Sequence, residues 1–364
     1  MKNFSRILFC LIIVFLFFSC VKDKNNTAEI PEIIEEEIEV VPPVVMVTYE
    51  EPVLNIFFHP LVARPEQAFR SKHRDFFLEW YVTASEYRNF LYEMYINDWV
   101  LVDINELYEV TYINGVKRVN YIKPLVPEGK RPMVLSIDDL SYYDFVRENA
   151  SIYKLVIDEN NQIAGWTPNE NGDELSYDLD VVTYLEVFIK KYPDFAVRGA
   201  RGIIALTGYE GVLGYKTHLL EAPEYETEKE EAIKVVNRLK ELGWRFASHS
   251  WGHPNMPNVP MERFMRDTNR WDREVRPVIG DTDLFIYPFG AGVENIEERH
   301  RVLRDRGFNV FFGVGLGFIT RERQSYIYMD RRNVDGNHFR TFRNRTDKVF
   351  DFEKVIDTEA RSIR

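Results

Sequence analysis

Short apolar runs alternate along this chain with amphipathic stretches of helical period, the pattern expected of a parallel sheet or barrel. Residues 54–58, 99–102, 133–137, 203–206, 244–247 and 284–286 read as strands. Between them, Thr83-x-x-Glu86 has the form of a capping box, and Tyr87, Phe90, Leu91 and Met94 share one face of the helix it opens. Thr227-x-x-Glu230 reads as a second such start, with Ile233, Val236 and Leu239 inward and Gly243 as the stop. The rhythm breaks between Tyr142 and about Asp178, where residues 153–157 and 162–166 flank Glu159-Asn160-Asn161. That segment reads as a hairpin-like insertion, about residues 143–178, with turn chemistry at its centre.

The two ends of the chain follow a different pattern. Lys2 and Arg6 precede an apolar run over residues 7–18, which has the length of a signal-peptide core and is short for a transmembrane span. Ser19-Cys20 then gives residues 1–19 the form of a lipoprotein signal, with Cys20 as the lipidated residue. Residues 20–51 read as a tether, with a Glu-rich run followed by Pro42-Pro43 and little to bury. The folded domain is expected over residues 52–350, with 351–364 as a C-terminal tail. These readings imply export and a lipid anchor in a membrane, with the folded domain outside the cytoplasm.

Composition narrows the chemistry. The formal net charge of −12 argues against nucleic acid as a partner. The only cysteines are Cys10 and Cys20, so the folded domain has neither disulfide nor thiolate ligand, and any metal must be held by His and carboxylates.

Four polar clusters each follow a predicted strand: His59, Asp138-Asp139, His249 with His253, and the run from Tyr287 through Pro288 and Phe289 to Gly290. Parallel barrels assemble active sites at that C-terminal rim. Gly252 and Pro254 place the His249 to His253 pair on a loop rather than a helix. Two imidazoles and one carboxylate form a set that leaves positions open on a divalent metal. Two adjacent carboxylates ending an apolar strand are costly unless an opposite charge compensates them.

In these motifs the chain resembles the polysaccharide deacetylases, carbohydrate esterase family 4. Ser136-Ile137-Asp138-Asp139-Leu140 is similar to that family's first motif. His249-Ser250-Trp251-Gly252-His253 matches its second in full, and Ile286-Tyr287-Pro288-Phe289 is similar to its third. The segment from Pro52 to His59 resembles the circularly rearranged branch, which includes enzymes acting on poly-N-acetylglucosamine.

The resemblance implies a distorted (β/α)7-8 barrel and metal-dependent hydrolysis of N-acetyl groups from an N-acetylhexosamine polymer. It implies that Asp139, His249 and His253 hold a divalent metal, with zinc first and cobalt or nickel as other candidates. Asp138 is implied as general base, His59 as general acid, and the Phe289 N–H as oxyanion donor, while Tyr287 and Trp251 are candidate substrate contacts. His338 is a rival for the acid; His73, His218 and His300 read as surface or packing residues.

Two residues depart from the family pattern. Leu140 stands where glycine is usual, and Ile286 stands where an arginine orients the base, a role Arg331 or Arg332 could take over. These departures motivate the alternatives: a non-catalytic carbohydrate-binding lipoprotein of the same fold, or a deacylase of a non-sugar amide or ester.

Overall fold

The structure is a computed structural model that describes residues 44–341 and 349–363. The signal segment, Cys20 and all but the last residues of the stretch read as a tether lie outside the described residues. Among the described residues no helix is long and apolar enough to cross a membrane.

Seven parallel strands close into a barrel in chain order. They are β1 (Leu54–Phe58), β2 (Arg131–Ile137), β3 (Ile203–Leu206), β4 (Arg245–Ser248), β5 (Leu284–Ile286), β6 (Val310–Val314) and β7 (Tyr326–Asn333). Closure is made where β7 pairs β1 through Arg332 opposite Ile56 and Asn333 opposite Phe57. Trp99–Leu101 adds a parallel strand beside β2, outside the ring, and Thr320–Arg323 pairs antiparallel with β7. The α/β barrel expected from the alternating pattern is therefore the fold, with seven strands in the closed ring.

Strand periodicity of two sorts the side chains. Val134, Ile203, Ala205, Ala247, Leu284, Ile286, Val310, Phe312, Ile327 and Met329 fill the barrel interior as one buried cluster. Their neighbours, such as Leu54, Ile56, Phe58, Leu135, Phe285 and Phe311, face outward into a second core shared with the helices. The helices that cover it include α1 (Ala84–Ile96), α2 (Val181–Lys191), α3 (Tyr225–Leu242), α4 (Met261–Glu274) and α5 (Glu297–Asp305).

Helix α1 starts on the expected capping box: Thr83 Oγ1 accepts the Glu86 N–H at 3.1 Å and Glu86 accepts the Thr83 N–H at 2.8 Å. Helix α3 does not use Thr227. It begins at Tyr225, with Glu224 at the N-cap position and no side-chain cap, so the expected start is corrected by three residues. It does stop at Gly243, whose φ of 105° is the left-handed conformation that favours glycine.

Three elements lie outside the sequence reading. Tyr108–Ile113 and Val116–Tyr121 form a hairpin, and Tyr108, Val110, Val119 and Tyr121 from it pack against the barrel-interior cluster. Its Asn114-Gly115 turn, both residues at positive φ, was a readable hairpin signal. Met46–Thr48 pairs with Leu125–Pro127, so the described fold begins inside the stretch read as a tether. The segment read as a tail is packed: Phe352 and Val355 are buried, and Arg361 Nη2 meets the buried Glu86 at 2.8 Å.

The hairpin insertion is present as Lys154–Ile157 paired with Ile163–Thr167, extended by Glu174–Ser176. Asp158 fixes its turn by accepting the Asn160 and Gln162 N–H groups at 2.9 and 2.7 Å.

His300 is a packing residue, as expected. Its ring sits on α5 at 4.6 Å from the Phe311 ring and 4.3 Å from that of Tyr326. Burial, with the nearby Arg304 charge, pushes its pKa down to about 4. The unfolded chain therefore takes up a proton near pH 6.5 that the folded chain refuses until about pH 4, so stability falls as pH falls through that window. We expect this one group to remove about 2 kcal/mol between pH 7 and pH 5. His300→Phe should flatten that slope in urea titrations at the two pH values; an unchanged slope would assign it to other groups.

Candidate active site

Each of the four sequence clusters lies at the C-terminal end of its strand, on one rim of the barrel. The inward parity of β1 continues from Val53 and Phe57 to His59. That of β2 runs through Val134 and Ser136 to Asp138, and that of β4 through Ala247 to His249. On β7, Ile327 and Met329 put Arg331 on the same inward face.

Arg331 takes the place of the motif arginine missing at Ile286. Its guanidinium grips Asp138 with two bonds, Nη1 to Oδ1 at 2.7 Å and Nη2 to Oδ2 at 2.9 Å, and Nη1 also reaches Ser136 Oγ at 2.9 Å. The Arg331 charge centre lies 4.3 Å from the Phe57 ring centroid. Burial alone would raise the Asp138 pKa, but Arg331, His249 and His59 together outweigh it and hold it at about 2. Asp138 is thus ionised across the neutral range and fixed in orientation.

Asp139, His249 and His253 come together beside it, with one donor atom of each within 4.8 Å of the others. His249 Nδ1 lies 2.8 Å from the Ile286 carbonyl, an acceptor only, so Nδ1 carries the proton and Nε2 keeps its lone pair for the site. Nε2 is 3.9 Å from Asp139 Oδ1, and His253 Nε2 is 4.0 Å from Asp139 Oδ2. Burial lowers the His249 pKa and so favours the neutral, ligating form. Asp139 works against the same burial but is held below its usual value by His253 and His249. A carboxylate with two imidazoles is a donor set suited to a divalent cation such as zinc.

The surroundings hold this set in shape. Tyr143 donates its hydroxyl proton to Asp139 Oδ1 at 2.7 Å and sits 2.8 Å from Thr207 Oγ1. Asp267 on α4 accepts the Trp251 and Gly252 N–H groups at 2.9 and 2.7 Å, clamping the histidine loop. Asp139, Ser250, His253 and Phe289 all have φ between 50° and 60°. That conformation costs non-glycine residues roughly 1 kcal/mol or more each, and such strain clusters at functional sites. Sequence reading missed Tyr143 and Asp267; a tyrosine four residues after a carboxylate and an acid on a neighbouring helix carry no local signature.

His59 Nδ1 lies 3.1 Å from the Trp80 carbonyl, which fixes its tautomer and leaves Nε2 as the other ring nitrogen. The buried Asp335 is among the charges that feel His59, and it accepts the His338 N–H at 2.7 Å and the Asn333 side-chain N–H at 2.8 Å. His338 also lines the cavity, so both histidines weighed for the acid are at the site.

Phe289 lines the cavity too, 66% exposed, with its ring 4.4 Å from that of His253. Two expected substrate contacts are elsewhere. Tyr287 has the outward parity of Phe285 and is buried in the helix-side core, 5.8 Å from the Phe311 ring. Trp251 is locked between the Arg270 guanidinium, 3.2 Å over its ring, and Glu274, which accepts its Nε1–H at 2.7 Å. Neither is among the residues lining the cavity.

Leu140 is accommodated by being fully buried in the helix-side core, while Asp139 makes the left-handed turn that precedes it. From the insertion, Tyr143 and Phe145 reach the cavity; its sheet packs away from it, with Arg238 on α3 donating to the Asn161 carbonyl at 2.9 Å.

A closed parallel barrel with paired carboxylates and an Asp-His-His donor set at its C-terminal rim is a barrel of the polysaccharide-deacetylase type. Residues 221–310, which include the histidine loop, match the family model described as polysaccharide deacetylase. That match agrees with the resemblance that the motifs carry.

Three solved structures are similar over most of the chain. A de-N-acetylase from Aggregatibacter actinomycetemcomitans is 13% identical, with a TM-score of 0.45, covering 82% of this chain and all of that one. Streptococcus pyogenes deacetylase PplD, in complex with acetate, is 12% identical with a TM-score of 0.42, covering 79% and 93%. IcaB from Ammonifex degensii is 14% identical with a TM-score of 0.41, covering 79% and 94%. No curated protein sequence matches.

Proposed function

We propose that this protein removes N-acetyl groups from an N-acetylhexosamine polymer. The observation that carries the reading is the Arg331-held Asp138 carboxylate beside the Asp139, His249 and His253 donor set, at the floor of a cavity. A divalent cation held by those three residues would supply Lewis acidity to the acetyl carbonyl and to a water. Asp138, ionised and oriented, takes the proton from the attacking water as general base. His59, with its tautomer fixed by Trp80, gives a proton to the departing amine, which is a poor leaving group without one. The Phe289 N–H, on its left-handed turn at the rim, donates to the developing oxyanion.

The N-terminal pattern supports export and lipidation at Cys20, with residues 20–43 spacing the domain from a membrane.

Parallel assays of acetate release from N-acetylglucosamine oligomers and from an aryl acetate test the reading. We expect turnover of the oligomer amide. Turnover of the ester alone would move the substrate to a non-sugar acyl compound.

A further inference from the structure

The cavity above the rim encloses about 920 Å³, at the upper end of the roughly 300–1,000 Å³ typical of ligand clefts. The reacting groups occupy only its floor. Their order across that floor gives the cavity two sides. Phe289, the oxyanion donor, stands over His253, on the acyl side. His59, the acid, must stand beside the departing nitrogen, so the sugar that carries this nitrogen sits against His59 and the next rings of a polymer extend over that side of the cavity.

That side of the cavity is a wall of aromatic rings. Trp80, whose carbonyl holds His59, is 39% exposed, and Phe76, one turn earlier on the helix Arg74–Trp80, is 38% exposed; both line the cavity. The wall is rigid. Phe76 is wedged against Phe77, Tyr81 and Phe145, with ring centroids 5.8, 5.5 and 5.4 Å away. Trp80 and Phe76 lie one helical turn apart and both face the cavity, so they make a contiguous apolar patch rather than scattered exposed rings.

We infer that Trp80 and Phe76 form a carbohydrate-stacking subsite that receives sugar rings on the leaving-amine side and makes the enzyme select polymer over monosaccharide. This rests on the deacetylation reading. The occupant is an N-acetylhexosamine chain, because a flat, apolar, preorganised ring pairs with the C–H face of a pyranose, while the polar edge of the sugar stays with the floor. Trp80→Ala removes the platform while leaving the backbone carbonyl that positions His59, so the two roles of this residue can be separated.

The test measures binding and turnover on the same protein with N-acetylglucosamine and its pentasaccharide. By calorimetry, Trp80→Ala and Phe76→Ala should each bind the pentasaccharide about tenfold more weakly than wild type, with Trp80→Phe within about threefold. In kinetics the loss should fall on KM, and the ratio of kcat/KM for pentasaccharide over monosaccharide should drop by about tenfold in the alanine variants. Equal pentasaccharide affinity in wild type and Trp80→Ala, or an equal proportional loss on both sugars, would overturn the subsite. A wild-type protein that fails to bind the pentasaccharide would overturn it as well. Binding that is sensitive to Trp80, with no acetate released by any form, would sustain the subsite and sink the deacetylation reading.

Discussion

Asp139→Ala is expected to lose the bound divalent metal and, with it, acetate release by about a thousandfold or more, whereas Asp138→Asn keeps the metal and loses turnover alone. The two carboxylates are chain neighbours, yet the structure places them differently. Asp139 turns through a left-handed φ of 60° and faces His249 and His253. Asp138 keeps the inward parity of β2 and is held by Arg331. Removing Asp139 takes the only carboxylate from a three-donor set, and the charge that offsets the cation goes with it. Asp138→Asn leaves all three donors in place and removes only the atom that accepts the proton. Metal content by elemental analysis and acetate release on the same preparations separate the two cases. Metal retained in Asp139→Ala, or normal turnover in Asp138→Asn, would require other residues in these roles.

Arg331→Met carries the next largest effect. The guanidinium and Asp138 are both buried, and breaking such a pair strands a carboxylate in the barrel interior at a cost of about 3–5 kcal/mol. Turnover should fall by two to four orders of magnitude, since the base loses both its orientation and the charge that keeps it ionised. Arg331→Lys restores a positive charge but not the two parallel bonds, so it should recover most of the stability and little of the rate. Urea unfolding and acetate release on both variants measure the two effects separately. An Arg331→Met protein with wild-type turnover would show that the base needs no orienting partner.

Much of this arrangement was legible in the sequence because it depends on short-range pattern. Strand periodicity placed His59, Asp138, His249 and the Tyr287 to Gly290 turn at strand ends, and Thr83 with Glu86 announced their helix. Parity also explains where the reading went astray. Tyr287 lies inside a motif but one residue past Ile286, so it points to the helix side, and its buried ring cannot meet a substrate. Trp251 neighbours the metal loop in sequence, but the Arg270 and Glu274 of a different helix capture its indole.

The groups that complete the site were out of reach for a different reason. Arg331, Asp267, Asp335 and Trp80 reach it from β7, α4, the turn after β7 and a short helix, all brought in by the closure of the barrel. Arg331 was named in the sequence only as one of two candidates. The choice between it and Arg332 is again parity, since β7 turns Arg331 into the barrel while Arg332 Nε donates to the Leu316 carbonyl at 2.9 Å.

Acetate release from N-acetylglucosamine oligomers, followed before and after treatment with a chelator and again after adding zinc, tests the central claim most directly. The account predicts release that the chelator stops and zinc restores. Release that persists at full rate in the chelator, or no release from any oligomer in any metal, would contradict it.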